Sequence, residues 1–109
     1  MNYDINTIHT FKVEDAIRYG TDKAVILAAI RHFIDVNKWD DNSKYYRSNY
    51  YWFCISSKDL SRVLPYFTPS KIQRLLKQLE NDRAIVVSVL NDSAFNRTKW
   101  YSLPEYYNA

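Results

Sequence analysis

The strongest constraint on how this chain folds lies between residues 68 and 80. Thr68-Pro69 is a helix start: the hydroxyl can satisfy an open backbone N–H, and proline suits the first helical position, where no N–H is needed. Ile72, Leu75, Leu76 and Leu79 follow at i, i+3, i+4 and i+7. That is the period of a helix with one apolar face. In water such a helix is stabilised mainly by packing, so its neighbours in the chain must supply a surface for it.

Upstream, Ser56 or Ser57 caps a helix predicted over about residues 58–64, with Leu60, Val63 and Leu64 facing inward. Pro65 ends it, because proline disfavours helical geometry in the residue before it. The turn Pro65-Tyr66-Phe67 is short. Downstream, the β-branched run 83–90 predicts a strand, residues 91–96 a turn-rich tip, and residues 98–103 the returning strand. Helix, tight turn, helix, strand, tip, strand is the order of a winged helix-turn-helix. The expected fold class is therefore mainly α with a small β-hairpin (α+β).

The N-terminal half completes the core. Residues 1–10 read as a loosely held arm. Val13, Ala16 and Ile17 recur at helical spacing and stop near Gly20. Thr21 reads as the N-cap of a helix to about residue 37, with Asp22 favoured in its first turn. Ala24, Leu27, Ala28, Ile30 and Ile34 share one face, widened by Val25, Ile26, Ala29 and Phe33. A helix this apolar should be the buried spine. Residues 38–49 read as a loop or irregular hairpin, and residues 50–55 as a short aromatic strand.

Several function classes are excluded or disfavoured. One hundred and nine residues suit one domain, 1–109. The single glycine, Gly20, rules out a Walker phosphate loop and a dinucleotide fingerprint, which need several. The single cysteine, Cys54, rules out an internal disulfide and a cysteine-based zinc site. His9 and His32 have no second histidine or carboxylate cluster at ligand spacing, so no metal is expected. No cofactor or catalytic constellation is expected either. No apolar run reaches the roughly 18–20 residues of a membrane span, and residues 1–6 do not resemble a signal peptide. A cytoplasmic protein that does not contact the membrane is the expectation.

Charge is distributed unevenly. The net charge is +3, but residues 1–55 hold seven basic and seven acidic side chains. Residues 56–103 hold eight basic and four acidic. The excess points to a polyanion, most simply nucleic acid, on the C-terminal half. With Ile72 at zero and 100° per residue, Ser70, Arg74, Lys77 and Asn81 point away from the apolar face, at roughly 140–200°, with Lys71 and Gln73 flanking them. Glu80 is the only acid on that helix. Arg and Gln can read guanine and adenine edges, and Lys and Ser can hold phosphates. A solvated helix face has a similar composition; the capped helix before it and the hairpin after it favour duplex DNA. Arg97 and Lys99 flank the hairpin tip, where a wing would meet the DNA backbone or minor groove. Trp100 reads as core or interface rather than a stacking platform. Tyr45-Tyr46 and Tyr50-Tyr51-Trp52-Phe53 leave two readings open, a single-strand stacking surface or core and dimer interface, the second preferred.

The chain resembles the winged-helix domain of phage and plasmid replication initiators, including the RepA-type and DnaD-related N-terminal domains, over about residues 11–106. The resemblance is carried by residues 24–30, by Ser56-Ser57-Lys58-Asp59-Leu60, by residues 69–80, and most specifically by Asn96-Arg97-Thr98-Lys99-Trp100-Tyr101. In one respect the chain departs: such domains often place glycine just after the recognition helix, where Arg83 stands here. Asn81 then becomes the expected cap. The resemblance implies sequence-specific binding of double-stranded DNA at a replication origin, through Ser70, Lys71, Gln73, Arg74, Lys77, Arg97 and Lys99. It also implies replisome proteins recruited through other domains, this chain being an N-terminal fragment of a longer initiator. A transcriptional repressor of the same fold, or a small phage protein-interaction or inhibitor module, are the rival readings. The surplus of aromatics and the charge-neutral N-terminal half lead us to expect a homodimer.

Overall fold

The structure is a computed structural model and describes residues 7–40, 43–93 and 95–108. Its helices are α1 (Val13–Tyr19), α2 (Thr21–Trp39), α3 (Ser57–Val63) and α4 (Pro69–Asn81). Its strands are β1 (Tyr46–Arg47), β2 (Tyr50–Tyr51), β3 (Phe53–Cys54), β4 (Val86–Ser88) and β5 (Trp100–Ser102). Single 3-10 turns cover Ser43–Tyr45 and Pro104–Tyr106. Together they make an α+β domain of four helices and small antiparallel sheets among the described residues. Residues 1–6 of the expected arm, residues 41 and 42 of the expected loop and residue 94 of the tip lie outside the described residues.

α2 is the spine the sequence predicts. Ala24, Ile26, Leu27, Ile30 and Ile34 are buried. They meet Leu60 and Leu64 at the end of α3, Ile72, Leu75, Leu76 and Leu79 of α4, and Phe53, Ile85, Tyr101 and Leu103 beside the sheet. Each such fully buried aliphatic side chain contributes about 1.5–3 kcal/mol. No helix among the described residues is long and apolar enough to cross a membrane.

The two helices on either side of the turn start as their sequences dictate. Ser56 is the N-cap of α3, its Oγ accepting from the Asp59 N–H at 3.1 Å. Thr68 Oγ1 accepts from the Lys71 N–H at 3.2 Å, with Pro69 in the first position. Phe67 is buried between the helices, and its N–H donates to the Leu64 carbonyl at 3.0 Å.

Three local expectations are corrected, and α1 takes an orientation that the sequence left open. Thr21 is the first residue of α2, not its cap; Gly20, at φ 94°, occupies that place, with no side-chain cap bond. α1 turns its apolar side outward: Val13 is 68 % and Ile17 83 % exposed, while Asp15 is buried. The cause lies on α2, where Arg31 Nη1 donates to Asp15 Oδ2 at 2.6 Å and Nε donates to Glu105 Oε1 at 2.9 Å. Burial opposes the charged guanidinium, but these two carboxylates outweigh it and hold Arg31 above its usual pKa. At the other end, Asn81 does not close α4. Arg83 takes the positive φ (59°); its N–H bonds the Glu80 carbonyl at 3.0 Å and the Ala84 N–H bonds the Leu79 carbonyl at 2.9 Å. That pair of bonds is a Schellman closure, with buried Ala84 against buried Leu79 supplying its apolar contact.

The third correction concerns the sheet. The expected hairpin forms, with Val86↔Ser102, Val87↔Tyr101 and Ser88↔Trp100 paired antiparallel, but its strands are shorter than predicted. β5 is also central: β3 pairs on its other edge through Phe53↔Tyr101 and Cys54↔Trp100. The aromatic strand expected over residues 50–55 is broken at Trp52 into β2 and β3. β2 turns back on β1, and Ser48 (φ 52°) and Asn49 (φ 67°) make the two-residue tip, as a hairpin of the right twist requires.

Candidate functional site

α4 presents three different sides. Its apolar side, Ile72, Leu75, Leu76 and Leu79, is spent on the core. Ser70 and Arg74 stand exposed on the outward ridge. Gln73, Lys77 and Glu80 flank an open cleft of about 350 Å³, which Arg97 and Lys99 face from the hairpin tip. Ser56 and Ser57 close one end, and Leu76, Val87 and Tyr101 form its floor. Four of the seven residues singled out from the sequence, Gln73, Lys77, Arg97 and Lys99, thus surround one concavity. Ser70 and Arg74 lie beside it on the same helix.

Lys71 is placed differently. Its Nζ sits 2.8 Å from Asp22 Oδ2 in the first turn of α2 and 5.0 Å from the centre of the Phe67 ring. It ties α4 to α2 and stands apart from the cleft. Gln73 Nε2 donates to Ser57 Oγ at 3.0 Å, so its amide is oriented from α3. Lys77 Nζ lies 3.5 Å from Glu80 Oε1, an exposed i,i+3 pair of the kind worth little and easily exchanged. Arg74, Arg97 and Lys99 have no ion-pair or hydrogen-bond partner among the described residues. In the N-terminal half, by contrast, Lys23, Arg31 and Arg47 are all ion-paired. Three cations without an ion pair, Arg74, Arg97 and Lys99, therefore stand on α4 and at the tip.

The tip is held by residues that the sequence showed only as turn formers. Asn91 Nδ2 donates to the carbonyls of Asn96 (3.0 Å) and Thr98 (2.8 Å), and its Oδ1 accepts from Trp100 Nε1 at 2.8 Å. Thr98 N–H donates to Asn96 Oδ1 at 3.1 Å. From the β1–β2 hairpin, Arg47 Nη1 donates to the Leu90 carbonyl at 3.0 Å, and its guanidinium lies over the Trp100 ring at 5.4 Å. Trp100 is buried, as core, and cannot present a face for base stacking. Asparagine in a turn is common, so nothing local marks Asn91 as a clamp.

The floor is neutral. Burial, helped by the charges of Glu80 and Cys54, pushes the Tyr101 phenol up to about 12. Burial likewise raises the Cys54 thiol. Tyr101 therefore keeps its proton at neutral pH, and the cleft's charge comes from its rim.

Most aromatics of the segment 45–53 pack on other aromatics. Tyr46 lies 4.7 Å from Tyr51, Tyr50 lies 5.5 Å from Trp52 and 5.2 Å from Tyr107, and Tyr45 lies 5.5 Å from Trp100. Phe53 stacks on Phe33 at 4.7 Å. His9 does have a partner, Tyr66, whose hydroxyl is 2.7 Å from Nδ1. Among the described residues no three His, Cys, Asp or Glu side chains gather as a metal site. Comparison with family models, with curated proteins and with solved structures found no match to this chain.

Proposed function

We propose that the chain binds double-stranded DNA by sequence, with α3, the turn and α4 as a helix-turn-helix and the β4–β5 hairpin as its wing. One observation carries this: unpartnered Arg97 and Lys99, with Lys77 and the oriented amide of Gln73, ring one open cleft between an exposed helix face and a hairpin tip, and unpartnered Arg74 stands beside it on the same helix. A solvated face has no need to concentrate its unpaired cations there. The chemistry suits a phosphate backbone followed from α4 to the tip, with Arg74 and Gln73 reading base edges and Ser70, Lys77, Arg97 and Lys99 holding phosphates. Lys71 acts here as a brace between α4 and α2. Origin binding in replication initiation is the role that the segment 96–101 supports through its resemblance to initiator wings.

Selection of bound sequences from random duplex DNA tests the proposal. Enrichment of one motif is expected. Arg74→Ala is expected to cost about 1–3 kcal/mol and relax one position of that motif, whereas Lys77→Ala should weaken all sequences alike. A pool without a motif, or an Arg74→Ala protein that selects the same motif as tightly, would contradict it.

A further inference from the structure

Phe95 is the one large apolar side chain of residues 91–99, and it is 97 % exposed. Its ring stacks on no other ring among the described residues, so both of its faces are open. A phenyl ring left in water forgoes the burial that normally stabilises it, yet the backbone beneath this one is held. The Phe95 N–H donates to Ser93 Oγ at 3.2 Å, and the Asn96 N–H donates to the Ser93 carbonyl at 3.2 Å. On the following side the Asn91 amide ties residues 96, 98 and 100 together. The surroundings of the ring are polar. Arg97 and Lys99 stand two and four residues beyond it without ion-pair partners, and the tip's single acid, Asp92, lies 3.7 Å from Arg47 Nη1. A lone ring among polar groups offers too little apolar area to anchor a protein partner, whose energetic contacts come in clusters. Two open faces beside two cations suit a wedge instead.

We propose, resting on the duplex-binding reading above, that Phe95 enters the minor groove and inserts between two base pairs, kinking the DNA at that step. A ring with both faces free stacks on the pair above and the pair below, while Arg97 and Lys99 hold phosphates beside the opened step. Apolar side chains that enter the minor groove in this way unstack one step and bend the duplex by about 20–90° toward the major groove. Opening costs least at pyrimidine–purine steps, which are the most easily kinked. Phe95 therefore adds specificity without a hydrogen bond to any base. It favours a pyrimidine–purine step at a fixed distance from the bases that α4 reads, because the bonded turn fixes where the ring stands.

The test uses a duplex of about 30 base pairs carrying the motif recovered by selection, with a fluorescence donor and acceptor at its two ends. Binding is followed separately, by anisotropy of a singly labelled copy. Saturating parent protein should raise energy transfer between the ends, as the bend brings them together. Phe95→Ala removes a fully solvated ring, so it should keep the far-ultraviolet circular dichroism of the parent. It should still bind and still select the positions read by α4. Its complex should leave the duplex straight, and a repeated selection should lose the pyrimidine–purine step. A parent that binds the motif and leaves it straight, or a Phe95→Ala protein that bends it as the parent does, would overturn the wedge and leave duplex binding standing. A parent without affinity for any duplex would overturn both.

Discussion

Arg83 closes α4 in a conformation that suits glycine. Its φ of 59° crowds Cβ against the backbone, a cost of about 1–2 kcal/mol for an L-residue. Among the described residues its side chain makes no hydrogen bond or ion pair that would offset this. Arg83→Gly removes the crowding at the smaller expense of a looser unfolded chain. It is expected to stabilise by about 1 kcal/mol, or about 4–8 °C in Tm for a domain this size. A calorimetric scan checks it, and an unchanged or lower Tm would mean the positive φ costs nothing. The sequence misplaced this cap at Asn81, because asparagine tolerates left-handed geometry better than arginine does. The closing bonds from Ala84 to Leu79 and Arg83 to Glu80 decide otherwise: burying Ala84 against Leu79 fixes where the chain must turn.

At the level of elements, helices with strong local signals were legible and those that depend on distant partners were not. Thr68-Pro69 and the Ile72–Leu79 spacing define α4 without help from the rest of the chain. The spacing of Val13 and Ile17 also predicts α1 but does not say which way the helix faces. Asp15 is drawn inward by Arg31, sixteen residues away on another helix, and no local period encodes that. The hairpin tip is a similar case. Its two strands were readable, but the Asn91 amide that ties residues 96, 98 and 100 together was not. Asn91→Ala leaves two tip carbonyls and the Trp100 indole N–H without their partner. A loss of about 1–3 kcal/mol is expected, with faster amide hydrogen exchange through residues 95–99 and weaker DNA binding at unchanged α4 protection. Exchange measured by NMR separates these. A tip that exchanges as slowly as in the parent would show that Asn91 does not hold it.

For the whole molecule, the sequence located the surplus charge in the C-terminal half but could not say which cations are spent. That is settled by long-range pairs: Lys71 with Asp22, Arg47 with Asp92 and Arg31 with Asp15 and Glu105. With these formed, Arg97 and Lys99 are left without a partner among the described residues and face Lys77 across one cleft, with unpartnered Arg74 beside it on α4. A two-fold pair would carry two such clefts to half-sites one or more helical turns apart. The central claim is that the cleft's cations neutralise DNA phosphates, and the salt dependence of duplex binding tests it most directly. Each neutralised phosphate contributes about −0.9 to the slope of log K against log salt. The parent chain should bind with a steep slope, and a Lys77→Ala, Arg97→Ala, Lys99→Ala triple variant should flatten it by about 2.7 per protomer, three contacts at that rate. Duplex binding that does not weaken with salt, or a triple variant with the parent's slope, would contradict the account.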